Sequence, residues 1–297
     1  MIRARPLGVT LIELVIVIVL TSILLTMMAY FAQPLLQYTE ASRRAALTDI
    51  ADNAARRVSR ELRLALPNSV RVSSDNQTVE FLLVRTGGRY RADVDSPAGT
   101  CNGTSDGSAD QSMLVFGSAD TCFKSIGHIQ NPATVTTSDF LVVYNLPPGT
   151  TNADAYQSGS ATGGNKAKIS AAVVPETDRD KIEFQSNTFA YQSPANRFHI
   201  VEGAVAYRCD TGAAELRRYS GYPITAGTVP PAIGTLQSGS SALIANHISA
   251  CAFTYDPNTV AGSDGLVTLR ISVSSQDLRG GSETVSMYYS MHVSNVP

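Results

Sequence analysis

A single apolar segment near the start of the chain constrains its fold more than any other feature. Residues 9–31 are almost entirely apolar, and Glu13 is the only charged residue among them. A helix of about 20 such residues can cross a hydrocarbon core of about 30 Å. Because Arg3 and Arg5 precede the segment and no basic cluster follows it directly, the N-terminus is expected in the cytoplasm. The remainder of the chain is therefore expected on the opposite side of the membrane.

Two ordinary explanations of this segment account for only part of it. A secretory signal peptide has an apolar run of about 7–15 residues followed by a small-residue cleavage site, but this run is longer and no such site follows Phe31. A plain membrane anchor explains the length but not Glu13. A carboxylate at the centre of an apolar helix costs about 2.5–3.5 kcal/mol on insertion, and less near the helix end. Glu13 is therefore interpreted as a functional residue.

The residues around Glu13 form a motif that follows a short basic leader, residues 1–8. From residue 8 to residue 14 the sequence is Gly8-Val9-Thr10-Leu11-Ile12-Glu13-Leu14. This segment resembles the processing site of type IV prepilins. The resemblance implies that a prepilin peptidase cleaves between Gly8 and Val9, that Val9 becomes the N-methylated terminus, and that residues 10–14 take part in assembly. The family most often has Phe after the cleaved bond, where this chain has Val9, but cleavage depends chiefly on the glycine.

The spacing between Val9 and Glu13 gives this resemblance a physical basis. Cleavage would create an α-amino group four helical residues from Glu13, which is about 6 Å along the helix axis. In a bundle of helices the carboxylate can be neutralised by the amine of a neighbouring subunit. Because an unpaired charge in an apolar environment is costly, this pairing would favour one axial register between subunits.

Residues 32–67 are expected to form an amphipathic extension of the same helix. Pro34 removes a backbone donor and is expected to kink or loosen the helix locally, and Pro67 is expected to end it. One face of this helix is polar, with arginines interleaved among acidic residues. This mixture of charges favours a solvated face that makes inter-subunit ion pairs over a nucleic-acid interface. Apolar residues recur at three- and four-residue steps and define one face: Leu47, Ile50, Ala51, Ala54, Val58, Leu62, Ala65 and Leu66.

From residue 68 to residue 297 the pattern changes to the alternation typical of β-strands. An antiparallel hairpin is expected from segments 267–273 and 285–293, and polar composition predicts loops at 96–112, 147–168 and 223–241. The fold class is therefore α+β, a long N-terminal helix packed on an antiparallel β-rich domain. Further short strands are expected at 78–84, 113–116, 140–144, 198–201 and 205–209.

Four cysteines, all beyond residue 100, fit an oxidising compartment better than a reduced cytosol. Four cysteines allow three pairings. Nearness in the chain favours Cys101–Cys122 and Cys209–Cys251. Each disulfide is expected to contribute a few kcal/mol by restricting the unfolded chain.

The sequence carries no catalytic, metal or cofactor motif in a supporting context. Residues 103–107 match G-x-S-x-G, but they lack the strand before and the helix after that a nucleophile elbow requires. The four histidines lack metal-ligand spacing and the cysteines lack C-x-x-C spacing. Asp106 with Asp110, or Asp256 with Asp264, supplies oxygen atoms for calcium but matches no EF-hand loop. We expect no enzyme activity, no cofactor and, with a net charge of −2, no nucleic-acid partner.

The plan of the whole chain resembles pilins and pseudopilins. Residues 204–209, the strand around Cys251 and residues 293–297 resemble MshO-type minor pilins of mannose-sensitive haemagglutinin (MSHA) pili. The plan is also similar to the large J-type minor pseudopilins of type II secretion. The resemblance implies other pilins, the prepilin peptidase and an inner-membrane assembly platform as partners, with the protein in the inner membrane before assembly and in the periplasm and at the cell surface afterwards. Two alternatives remain, a J-like pseudopilin and a membrane-anchored periplasmic enzyme or binding protein.

Overall fold

The computed structural model describes residues 10–91, 113–157, 164–258, 264–276 and 281–297. For residues 32–40 it describes the helical backbone and not the side chains. The architecture is the expected α+β arrangement, a long N-terminal helix followed by an antiparallel β-rich domain.

One helix, α1, comprises Leu11–Leu62, a length of 52 residues. It continues through Pro34 as a single element. The helix ends before the predicted stop at Pro67 because the backbone beyond it joins the neighbouring sheet. There the N–H of Leu66 donates to the carbonyl of Leu82 at 2.8 Å, and the N–H of Val84 donates to the carbonyl of Leu64 at 2.9 Å. These strand-type bonds replace a further helical turn.

The described β-strands run antiparallel to their partners. A short helix, α2 (Ile233–Leu236), and a 3₁₀ turn (Pro132–Thr134) accompany them. The strands are β1 (Arg71–Val72), β2 (Thr78–Arg89), β3 (Asp120–Lys124), β4 (Phe140–Val143), β5 (Lys166–Lys168), β6 (Val174–Pro175), β7 (Asp180–Asn187), β8 (Arg197–Asp210), β9 (Glu215–Ser220), β10 (Ser240–Ala245), β11 (Ile248–Asp256), β12 (Asp264–Gln276) and β13 (Ser282–Ser294).

Within the described residues the strands form three sheets. The largest is built on β8, which pairs with β2 along one edge and with β4 and then β9 along the other. β1 extends it beyond β2, β5 beyond β4, and β10 beyond β9. The second sheet has the order β11-β12-β13, and the third has the order β3-β7-β6.

The predicted hairpin at the end of the chain is confirmed. β12 and β13 pair in one continuous register that includes Leu269 opposite Tyr289 and Ile271 opposite Met287. Val267, Leu269, Ile271 and Val273 of β12 are completely buried, whereas the intervening Arg270 is exposed. On the other face of β12, Thr268 and Ser272 are also largely buried, at 9% and 8% exposure. The alternation in the sequence therefore identifies the apolar face that packs into the core.

Several predicted boundaries were wrong, because tertiary pairing extended or removed short elements. The segments 198–201 and 205–209 belong to the one strand β8, which passes through Gly203 at φ 155°. Residues 113–116 form no strand, and Phe116 makes only an isolated bridge to Phe189. The predicted loops at 147–168 and 223–241 contain β5, α2 and the start of β10. The predicted loop at 96–112 lies outside the described residues.

The apolar face of α1 packs into the main hydrophobic core. Ala51, Val58 and Leu62 are completely buried there against side chains of both the largest sheet and the β11-β12-β13 sheet. Ala55, which the predicted face omitted, is also buried. Burial of one large aliphatic side chain contributes roughly 1.5–3 kcal/mol, so this face fixes the second half of α1 on the β domain.

A buried ion pair connects the polar segment 223–241 to the sheet. The side chains of Arg71 and Glu80 are 1% and 0% exposed, with Nε and Oε2 2.5 Å apart. The hydroxyl of Tyr222 donates to Oε1 of Glu80 at 2.8 Å, and Arg71 donates to the carbonyls of Gly227 at 2.6 Å and Thr225 at 3.1 Å. The network orders a segment whose composition alone indicates a loop.

The predicted disulfide Cys209–Cys251 is present, with the Cα atoms 5.9 Å apart. It joins β8 of the largest sheet to β11 of the sheet that carries the final hairpin. Cys101 lies outside the described residues, so the pairing Cys101–Cys122 stays a prediction.

We expect the double variant Cys209→Ala/Cys251→Ala to lose about 3–4 kcal/mol of unfolding free energy on the loop-entropy model, because the bond closes a sequence separation of 42 residues. Urea unfolding of the full chain in detergent, without reductant, measures the loss. A decrease below about 1 kcal/mol would contradict a restraining role for this bond.

Candidate functional site

The first part of α1 has no protein covering it. Residues Leu11–Phe31 form a membrane-length apolar stretch of 21 residues with a mean hydropathy of 2.7, and none of it is buried within the chain. Leu11 is 83% and Phe31 68% exposed. A helix that is apolar on all sides requires lipid or other helices around it. This segment can therefore anchor the chain in a membrane or pack in a bundle of like helices.

Glu13 lies in the first turn of this exposed segment. Thr10 is the N-cap, and its Oγ1 accepts a hydrogen bond from the N–H of Glu13 at 3.4 Å. The spacing Thr10-x-x-Glu13 is that of a capping box, in which the glutamate also reaches back towards the N-cap. The positive end of the helix dipole further favours a carboxylate here. The structure shows the half of this motif in which Thr10 caps the backbone N–H of Glu13.

The predicted processing and assembly residues are described unequally. Gly8 and Val9 lie outside the described residues, so the cleavage site has no described geometry. Leu11, Ile12 and Leu14 are in the exposed first turn with Glu13. Because these neighbours are apolar, lipid or a bundle of helices around them would place the carboxylate in an apolar environment, where a pairing cation has its largest effect.

Three side chains in the apolar segment carry hydroxyl groups whose hydrogen bonds were not predicted from the sequence. Thr21 and Thr26 donate to the carbonyls of Val17 and Ser22, each at 2.7 Å, and Ser22 donates to the carbonyl of Ile18. These bonds to the carbonyl four residues earlier satisfy each hydroxyl donor inside the helix. The Ser and Thr side chains therefore add little cost to an apolar environment.

The polar face of α1 makes several contacts within its own chain. Arg56 Nε lies 2.6 Å from Asp52 Oδ2, and Glu61 Oε2 lies 2.8 Å from Nε of Arg218 on β9. Arg43 donates to the carbonyl of Gln276 at 2.8 Å. The acidic residues Asp52 and Glu61 of this face are thus paired within the chain, and inter-subunit ion pairs stay a prediction for its remaining charges.

The candidate enzyme and metal motifs gain no support from the described residues. No group of three or more His, Cys, Asp or Glu side chains there is arranged to hold a metal ion. The G-x-S-x-G match at 103–107, with Asp106 and Asp110, lies outside the described part of the chain. His128 is instead the partner of a carboxylate, because its Nδ1 lies 3.0 Å from Oδ1 of the buried Asp180.

The hydrogen bond that His128 makes to the carboxylate of Asp180 raises the pKa of His128. A raised pKa means that the stabilising pair is fully formed below the ordinary histidine value and is lost as pH rises through the folded-state value. We therefore expect His128→Asn to melt at a lower temperature than the wild type at pH 5 and at the same temperature at pH 8. His292→Asn, at an exposed position on β13, is the control and is expected to match the wild type at both pH values. Equal destabilisation by His128→Asn at both values would contradict the assignment.

Comparison with known proteins identifies one family model. Residues 3–29 match the prokaryotic N-terminal methylation motif. This match covers the basic leader, Gly8, Val9, Glu13 and most of the exposed apolar segment. No curated protein and no solved structure matches the chain. The chain therefore carries a type IV prepilin-like N-terminal methylation motif on a pilin-like α+β fold.

Proposed function

We propose that this chain is a structural minor pilin, and not an enzyme, which assembles through α1 into a type IV pilus of the MSHA kind. The observation that carries the proposal is the exposed half of α1. A completely uncovered apolar segment, Leu11–Phe31, begins within the methylation motif and continues into a helix that is anchored on a β domain.

The division of α1 into two parts supports an assembly role. The second part is fixed by buried residues such as Ala51, Val58 and Leu62, so the first part extends from a folded domain. When the segment leaves the lipid, its apolar surface requires similar surfaces from other chains. Glu13, the one charge in that surface, then favours the register in which it meets a cation.

A J-like minor pseudopilin of a type II secretion system uses the same motif and the same kind of helix. The long polar segments of this chain favour the pilus modestly, because added loops suit a surface-exposed subunit. A membrane-anchored periplasmic binding protein or enzyme is the remaining alternative, and it requires no cleavage at Gly8. Location separates the first two functions: a minor pilin is recovered in sheared surface filaments, whereas a pseudopilin is required for protein secretion.

We expect Gly8→Val to block processing, because a side chain at this position obstructs access to the bond before Val9. Intact-mass measurement of membrane-extracted protein should give the full-length mass for the variant and a chain beginning at Val9 for the wild type. Leu7→Val is the matched control, since it changes the neighbouring leader residue and keeps the glycine. Cleavage of the Gly8→Val chain at residue 8 would contradict the proposed processing site.

A further inference from the structure

Three arginines form an exposed ridge on the second half of α1. Arg57, Arg60 and Arg63, here named the arginine ridge, are all exposed and extend over about 9 Å of helix axis. They lie on the side of α1 away from the buried Val58 and Leu62. The folded domain of the chain therefore leaves this concentration of positive charge uncovered.

The arginine ridge has no counter-charge within the described residues. No carboxylate there lies within 4 Å of Arg57, Arg60 or Arg63, although neighbouring Arg56 pairs with Asp52 and Arg218 pairs with Glu61. The two acidic residues nearest to the ridge on the helix are thus already used. Asp49 is exposed on the same helix, but it is two turns before Arg57.

The position of the ridge indicates what covers it. One side of α1 is filled by the chain's own β domain, so a neighbouring subunit that packs along the helix must approach from the exposed side. The same helix carries the uncovered apolar segment Leu11–Phe31, which on the proposed function is the assembly surface. A subunit that packs against both removes water from the arginines, which then require anionic partners.

A second copy of this chain offers no acidic cluster among the described residues. Asp49, Asp210 and Asp256, which have no ion pair there, lie on three different elements, α1, β8 and β11. Two ridges placed face to face would oppose like charges. Seven further surface carboxylates already pair with cations of their own chain: Asp75, Glu176, Asp178, Glu183, Glu202, Glu215 and Glu283.

We propose that the arginine ridge of Arg57, Arg60 and Arg63 is a docking surface for a non-identical, pilin-type neighbour that presents an acidic surface to it. The inference rests on the proposed function and adds to it the chemistry of the adjacent subunit. Charge complementarity would then place this chain beside a different subunit and disfavour contact with its own copies.

The first test reverses the charge of the ridge in the full chain. Arg57→Glu/Arg60→Glu/Arg63→Glu is expected to lower recovery in sheared filaments by about tenfold or more, while N-terminal processing at Val9 and the Cys209–Cys251 bond remain intact. The triple lysine variant keeps the charge and is expected to retain incorporation. Arg270→Glu reverses an exposed arginine on β12 and is expected to match the wild type.

Unchanged incorporation of the glutamate variant, or an equal loss in the lysine variant, would overturn the docking surface. If the proposed function is wrong, the result is different, because the wild type itself would then be unprocessed or missing from filaments. The docking surface would then be rejected together with the proposed function.

A second test identifies the kind of neighbour. A photo-reactive amino acid in place of Arg60 is crosslinked in assembled filaments, and the adduct is identified by peptide mass spectrometry. The expected adduct joins position 60 to an Asp- or Glu-containing segment of a different chain that carries its own N-terminal methylation motif. An adduct to a second copy of this chain, or the absence of any adduct, would overturn the proposed neighbour.

Discussion

Glu13→Gln is expected to remain in the membrane and to be cleaved before Val9, but to enter filaments at least about tenfold less than the wild type. The variant keeps the size and polarity of the side chain and removes its charge. A neighbouring α-amino group at Val9 would then lie in an apolar bundle without a counter-ion, a loss of several kcal/mol, and each 1.4 kcal/mol corresponds to about a tenfold change in binding. Quantification of the protein in membrane and sheared-filament fractions measures the effect.

The control for this prediction is Asp49→Asn. It removes a carboxylate that is also exposed on α1 and has no ion pair among the described residues, but it lies outside the apolar segment, where water screens its charge. We expect incorporation of the control within about twofold of the wild type. Incorporation of Glu13→Gln at the wild-type level would contradict an assembly role for the charge of Glu13.

Arg71→Met is expected to lower the free energy of unfolding by about 3–5 kcal/mol, because it leaves the buried Glu80 without its cation. Arg71 also stacks over the ring of Tyr156, with 3.7 Å between the guanidinium carbon and the ring centroid, and it holds the carbonyls of Thr225 and Gly227. The loss should therefore be accompanied by opening of residues 223–241. Urea unfolding measures the free energy, and hydrogen exchange of the 223–241 amides measures the opening.

An exposed ion pair serves as the matched control for Arg71→Met. Arg56 pairs with Asp52 on the surface of α1, where the side chains are 72% and 36% exposed, so Arg56→Met is expected to leave the free energy of unfolding nearly unchanged. The double variant Arg71→Met/Glu80→Leu removes both buried charges and should recover part of the loss. A similar small effect for Arg71→Met and Arg56→Met would contradict the central role of the buried pair.

The parts of the fold that were predictable from sequence are those governed by local periodicity. The three- and four-residue steps from Leu47 to Leu62 predicted the face of α1 that is buried, and the alternation in 267–273 and 285–293 predicted the β12–β13 hairpin. Both patterns result from neighbours that are close in sequence.

The features that the sequence did not indicate depend on partners that are far apart in the chain. Tyr222 and Glu80 are separated by 142 residues, yet their hydrogen bond helps to order segment 223–241. The helix ends at Leu62 and not at Pro67 because Leu64 and Leu66 bond to the edge of β2. Residue type alone specifies neither contact.

Some residues of the candidate site were likewise predicted from the sequence and others were not. Glu13 was identified because a charge in an apolar run conflicts with its surroundings, and a sequence pattern exposes such a conflict directly. The cap made by Thr10 and the internal hydrogen bonds of Thr21, Ser22 and Thr26 were missed, although their spacing is local. The exposed arginines Arg57, Arg60 and Arg63 were not singled out from the sequence, because sequence alone did not show that Asp52 and Glu61 have partners within the chain.

N-terminal mass spectrometry of protein recovered from sheared surface filaments tests the central claim most directly. The measurement compares a wild-type strain with a strain that lacks the prepilin peptidase. On the proposed function, wild-type filaments contain a chain that begins at an N-methylated Val9, and this chain is missing from filaments without the peptidase. An intact terminus at Met1 or Ile2 in both strains would contradict it and would make the apolar segment a plain membrane anchor.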